Sequence, residues 1–270
     1  MVGGTAQKQT AILKATMRHF ARRAGGTIRD LAGLLREPPD DVTEPYEKGD
    51  KLARDLAERL YAQVENDPLI GGAGAPLDPA ALLRSSNPGK TRVSVVSLIG
   101  LPNYDQKRRF VDQLSSALFS WIKKNPAPPG GILGLFVMDE AKDFVPSGKK
   151  VPGKENVQRL AAQARKYGLG LLFATQEPKS IEHSIVSNCS TLLGGKMSSP
   201  AAINALEQLL ADKGTNASDV GKLPRGTFYF GTSPDKPRKV TTSLCLSYHP
   251  STPPTESQVL ELARKTKPAG

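Results

Sequence analysis

Several things are scarce in this sequence, and each shortage narrows the class of protein. Cysteine occurs only at Cys189 and Cys245, so neither a disulfide framework nor a cysteine zinc site is suggested. Two buried or half-buried thiols fit a reducing interior, and a cytoplasmic setting is expected. No apolar run approaches the roughly 18 residues of a membrane span, and the N-terminus carries no signal-peptide core. Aromatic residues make up 6% of the chain, which suits a soluble protein with many helices. No internal repeat is visible.

What is abundant is positive charge, and it is unevenly placed. The net charge is +11, from 37 Lys and Arg against 26 Asp and Glu. Residues 1–90 carry 13 basic and 12 acidic side chains, and residues 91–270 carry 24 and 14, a net of +10. An excess on that scale favours a polyanionic partner, nucleic acid first.

Residues 1–90 read as a helical accessory region. One or two helices are expected over 8–36, from an apolar face of Ile12, Ala15, Met17 and Phe20 and then Ile28, Leu31, Leu34 and Leu35. Another is expected over 48–66, and a short one opens at Asp78-Pro79, an N-cap followed by a first-turn proline. Gly89-Lys90-Thr91 is half of a phosphate-binding loop. The full pattern, G-x-x-x-x-G-K-[ST], sits between a strand and a helix so that backbone amides cradle phosphates. Here Arg84 stands at the first glycine position and a strand is expected next, over 92–99, so the order is wrong.

From there the pattern becomes strand, helix, strand. A helix is expected over 105–124. Ile132–Met138 is a nearly unbroken apolar run that ends in Asp139-Glu140, as in a strand buried on both faces. A helix over 156–167 carries Val157, Leu160, Ala161 and Ala164 on one stripe, which turns Arg159 and Arg165 away from the core. Leu169–Ala174 is a second apolar run, ending in Thr175-Gln176. Open α/β sheets bind ligands at the carboxyl ends of their strands, where Asp139, Glu140 and Gln176 would meet. Further on, a strand over 190–193, a helix over 200–210 and a hairpin of 227–231 with 240–246 are expected. Thr255 and Gln258 form a capping box for a terminal helix, and 248–270 reads as a tail.

An apolar strand ending in Asp-Glu is the Walker B pattern. Its aspartate anchors the Mg²⁺ that travels with ATP, and its glutamate orients or deprotonates the attacking water. An amide at Gln176 on the neighbouring strand could sense the γ-phosphate and hold that water. A metal-dependent phosphohydrolase built on Asp139, Glu140 and Asp143 is a weaker reading, since no histidine lies near those carboxylates.

The stretches FVMDEA and RKYGLGLLFATQEPKSIEHSIVSNCSTLLGGK resemble the HerA-type branch of the HerA/FtsK superfamily, ring-forming DNA-pumping ATPases. The resemblance covers about 91–262 and includes, weakly, Leu223-Pro224-Arg225-Gly226. It implies an α/β, RecA-like P-loop NTPase core over 91–247, with ATP and Mg²⁺ as cofactors. It also implies duplex DNA as partner and a homo-oligomeric ring, a hexamer by analogy. Asp139 would hold the metal, Glu140 would be catalytic, Gln176 would be the sensor, and Arg165 would act in a neighbour's site, with Arg159 as runner-up. The family's Walker A strand and loop do not appear in the sequence. The chain is therefore expected to be the C-terminal part of a larger ATPase, inactive by itself. The alternative is a catalytically inert DNA-binding or oligomerisation module.

Overall fold

The protein is described by a computed structural model covering residues 4–22, 26–67, 69, 77–243 and 251–266. Its packing divides it into two units, Met1–Pro76 and Leu77–Gly270. Among the described residues no helix is long and apolar enough to cross a membrane.

The first unit is helical: α1 (Thr5–Arg22), α2 (Ile28–Arg36), α3 (Asp40–Thr43) and α4 (Gly49–Asn66). Thr27 and Asp30 close a capping box that starts α2. Ile12, Leu35, Val42, Ala53 and Ala57 form the core, with small alanines on α4 letting its neighbours approach closely. Met17, expected on the apolar face of α1, is instead exposed.

The second unit opens with α5 (Pro79–Leu83), capped by Asp78, whose carboxylate accepts from the Ala80 amide. This helix packs on α6 (Tyr104–Lys124) and so belongs with the core rather than with the helical region. Between them residues 92–99 form no strand: 92–98 have no regular structure and 99 opens a turn. Val93 and Val95 face solvent, while Ser94 bonds to the Leu82 carbonyl and Leu98 reaches the core. β-branched composition favours the extended backbone, but a strand needs a pairing edge as well. Gly89-Lys90-Thr91 lies in an exposed turn, and the next helix begins only at Tyr104, so it is no phosphate-binding loop.

β1 (Gly134–Met138) and β2 (Leu169–Phe173) pair in parallel, from Gly134 opposite Leu169 to Met138 opposite Phe173. The crossover runs through α7 (Lys154–Gln163), then tightens into a 3₁₀ turn over Ala164–Tyr167 where an unbroken helix was expected. Gly168 ends that turn at φ 83°, where a side chain would also strike Ala127. Val157, Leu160 and Ala164 are buried, as their spacing predicts, and pack with Val111 and Ile122 of α6 against Phe136, Met138 and Leu169.

β1 has β2 as its sole partner among the described residues, so it lies at a sheet edge. Its two faces are not both covered: Leu135 and Val137 are each 54% exposed, beside exposed Leu172. A parallel pair with one bare apolar face is unusual, because such strands are normally sandwiched between helices.

Beyond α8 (His183–Asn188), β3 (Thr191–Gly194), β4 (Thr227–Thr232) and β5 (Arg238–Thr241) form a separate antiparallel sheet. β4 and β5 form the expected hairpin, but β5 begins at Arg238 and ends at Thr241 instead of running over 240–246; residues 244–246, with Cys245, fall outside the described residues. α9 (Pro200–Asp212) packs Leu206 and Leu210 against this sheet beside Tyr229. The Thr255–Gln258 box opens α10 (Glu256–Thr266) as predicted.

Leu160→Ala should cost about 2–5 kcal/mol of unfolding free energy, as for other fully buried leucines. Val137→Thr, on the bare face, should stay within about 0.5 kcal/mol. Urea denaturation of both variants checks the contrast, and equal costs would mean that the exposed face is in fact covered.

Candidate functional site

The parallel pairing places the carboxyl ends of β1 and β2 side by side. It continues one step past the strands: the Ala174 amide donates to the Met138 carbonyl at 2.9 Å, and the Ala141 amide to the Ala174 carbonyl at 2.9 Å. Met138 and Ala141 are buried, so the two residues between them are carried at the rim on a fixed backbone.

Those two are Asp139 and Glu140. Asp139 is exposed, and its Oδ1 accepts from the Glu140 amide at 3.0 Å. Glu140 stands at φ 46°, ψ 46°, a left-handed conformation that costs a non-glycine residue about 1–2 kcal/mol. Its Oε1 accepts from Gln176 Nε2 at 2.8 Å, and its Oε2 is buried without a hydrogen-bond partner. A buried carboxylate oxygen left unmatched is costly, and with the backbone strain it marks a position kept for something other than stability.

Around these residues the two rim loops are stitched together. Ser147 donates its amide to the Ser180 carbonyl, Glu182 its amide to the Val145 carbonyl, and Pro146 bridges Ile181. Lys154 clasps Glu182 and the carbonyls of Pro146 and Lys149. On the other side Lys142 pairs with Glu177, which also accepts from the Ser180 hydroxyl. The hydrogen bond from Lys142 holds the Glu177 carboxyl below its usual range, with Ser180 adding to it, and Glu177 in turn raises the Lys142 ammonium.

Asp139, Glu140 and Gln176 are thus gathered at one rim, but Arg165 is not among them. It is exposed in the 3₁₀ turn before β2, so the length of a five-residue strand, about 16 Å at 3.3 Å per residue, separates it from the rim. Arg159 is exposed too, with its guanidinium over Phe119. Asp143 does not complete a metal cage: among the described residues no three His, Cys, Asp or Glu side chains converge on a point that could hold an ion. An open hollow of about 530 Å³ beside the end of α9, lined by Glu207, Gln208 and Asn216 among others, shares no residue with the rim. Sequence reasoning missed the twisted backbone at Glu140 and the Lys142–Glu177 pair. The first carries no sequence signal, and the second needs the two loops to be placed together.

No protein-family profile matches the chain. A probable helicase of Methanocaldococcus jannaschii is 33% identical over 66 residues, 24% of this chain and 13% of that protein. The DNA double-strand break repair helicase HerA of Pyrococcus furiosus is 28% identical over 92 residues, 33% of this chain and 17% of its own length. The chain is HerA/FtsK-like. The match spans less than a fifth of either relative. In fold, this HerA/FtsK-like chain is similar to the plasmid coupling protein TrwB, solved with ADP and Mg²⁺. The TM-score is 0.52 at 13% identity, over 89% of this chain and 63% of that one. The likeness makes the fold that of a RecA-like P-loop NTPase.

Replacing Glu140 should therefore order stability by backbone tolerance. Glu140→Gly should gain about 1 kcal/mol by releasing strain, and Glu140→Val should lose about 2 kcal/mol or more, because a β-branched residue resists positive φ. Denaturant midpoints at unchanged slope report the order, and a reversed order would mean the turn is not left-handed in solution.

A depressed carboxyl lends stability above its unfolded value and loses it as pH falls through the folded one. The Glu177 contribution is accordingly lost in acid, below the ordinary glutamate value of 4.5. Glu177→Gln should make the loss of stability with falling pH shallower, measured as midpoint against pH. An unchanged slope would mean that the Lys142–Glu177 pair does not form.

Proposed function

We propose that this chain is the Walker B and sensor portion of a ring-forming ATPase that couples ATP hydrolysis to movement along duplex DNA. The observation that carries this reading is the strained Glu140, held by Gln176 at 2.8 Å beside an exposed Asp139 at the carboxyl ends of two parallel strands. The names of the relatives, helicases and a plasmid coupling protein, support it, as does the excess of basic residues beyond residue 90.

The residues fit an ATP-bound Mg²⁺. That ion keeps several waters and takes one or two carboxylates plus phosphate oxygens, not an all-protein cage. Asp139 offers one exposed carboxylate for it, and the bound metal would neutralise charge on the phosphates. Once nucleotide binding makes the buried Oε2 of Glu140 accessible, that oxygen would accept from a water and orient it toward the γ-phosphate, or take its proton. Gln176 Nε2 fixes the other oxygen, so the carboxylate cannot rotate away from that task. Positioning of this kind supplies most of the rate in phosphoryl transfer. Arg165, remote from its own rim, would serve the site of a neighbouring subunit, where a guanidinium stabilises charge on the transferring group. In this reading the chain by itself turns over ATP negligibly, because the G-x-x-x-x-G-K-[ST] pattern of a phosphate cradle does not occur in its sequence.

In the ATPase assembly that contains this chain, Glu140→Gln should abolish turnover and leave ATP binding intact. Arg165→Ala should cut turnover by about a thousandfold, the scale of a lost arginine finger. Rings mixed from the two variants should recover partial activity, because some interfaces then hold an intact Glu140 and a neighbour's intact Arg165. Full turnover in Glu140→Gln would overturn the reading in favour of an inert module. Mixed rings without recovery would overturn the role of Arg165 alone.

A further inference from the structure

Opposite the rim, at the amino ends of β1 and β2, five exposed cations surround one apolar cluster: Arg84, Lys123, Lys124, Arg159 and Lys166. The cluster beneath them is Ile122, Leu160, Ala164 and Leu169, rimmed by Phe119, Trp121 and Tyr167. The rings organise four of the charges, all but Lys124. Arg84 lies 5.1 Å from the Trp121 ring centre, Lys123 and Arg159 lie 5.6 and 5.8 Å from that of Phe119, and Lys166 lies 5.1 Å from that of Tyr167. Phe119 and Tyr167 meet edge to face at 6.2 Å. The Ala127 amide bonds to the Tyr167 carbonyl, which ties the end of α6 to the turn before β2 and makes the cations one surface.

Elsewhere in the second unit several basic side chains are matched with carboxylates, as in Lys142–Glu177, Lys154–Glu182 and Lys239–Asp219. None of these five takes part in an ion pair among the described residues. Grouped like charges repel, and a cation held over an aromatic face loses some of its freedom before any partner arrives. Unmatched, pre-ordered cations on a firm apolar base suit a partner that brings many negative charges at once.

We propose that this collar is a docking surface for the phosphate backbone of nucleic acid, separate from the carboxylate rim. It rests on the reading that nucleic acid is the partner, and it assigns that partner to the amino ends of the strands rather than to the rim's own basic loop, Ser147–Lys150. Lysine and arginine side chains of this kind neutralise phosphates without reading sequence, and they make affinity fall with salt.

The test is fluorescence anisotropy of a short labelled duplex of mixed sequence, titrated with this chain over a range of KCl. One variant carries Arg84→Gln, Lys123→Gln, Lys124→Gln and Lys166→Gln, and a second carries Lys149→Gln and Lys150→Gln. The collar variant should bind about tenfold or more weakly at low salt, with its salt slope reduced by about 0.9 for each phosphate it no longer neutralises. The loop variant should bind nearly as the unaltered chain does. Circular dichroism and a thermal melt establish that each variant is folded; should the fourfold variant fail there, Lys123→Gln with Lys124→Gln is measured in its place. Weakened binding in the loop variant alone would overturn the collar and leave nucleic acid as partner. An unaltered chain that binds no duplex at low salt would overturn both. Loss of self-association with duplex binding intact would assign the face to a second copy of the chain, and so overturn the proposal as well.

Discussion

The pairing of β1 with β2 is the interaction on which the rest depends. Two parallel strands joined through a helix must start at one edge and finish at the other. Whatever chemistry the sequence places after each strand is therefore delivered to the same rim. The bonds linking Met138, Ala174 and Ala141 carry the pairing past the strand ends. They leave Asp139 and Glu140 as a turn between buried anchors, and the left-handed backbone at Glu140 follows from fitting that turn between two fixed points. The same pairing sends Arg165 and its basic neighbours to the opposite edge.

Much of this is legible in the sequence where the signal is local. The Ile132–Met138 run, the stripe of Val157, Leu160 and Ala164, the capping box at Thr255 and the hairpin after Gly226 all follow from spacing or turn chemistry within a few residues. The convergence of Asp139, Glu140 and Gln176 is legible too, because strand direction alone dictates it. What fails is non-local. Residues 92–99 have the composition of a strand, but composition says nothing about whether an edge is there to pair with. The separate antiparallel sheet and the bare face of Leu135, Val137 and Leu172 likewise depend on which elements meet. The strain at Glu140 is invisible because a glutamate offers no hint of positive φ, as a glycine would.

The arrangement also separates two kinds of charge. Carboxylates sit at the carboxyl ends of the strands, tied down by Gln176, Lys142 and Lys154, and unmatched cations sit at the amino ends over aromatic rings. A single five-residue strand pair is a stiff spacer between them, so a change at one end need not disturb the other directly. The rim gives up stability to an unmatched oxygen and a strained backbone, and the packing of α6 and α7 beneath it offsets that loss. Such a distribution is expected of a site held ready for a ligand rather than of a structural turn.

The account stands on the carboxylate rim being a nucleotide site. The most direct measurement is a structure of the oligomer containing this chain, with Mg²⁺ and a non-hydrolysable ATP analogue bound. The account predicts the γ-phosphate facing this rim, with Asp139 turned to the metal and Glu140 and Gln176 in hydrogen-bond reach of a water beside it. A nucleotide bound elsewhere, with the Glu140–Gln176 pair facing empty solvent, would contradict it.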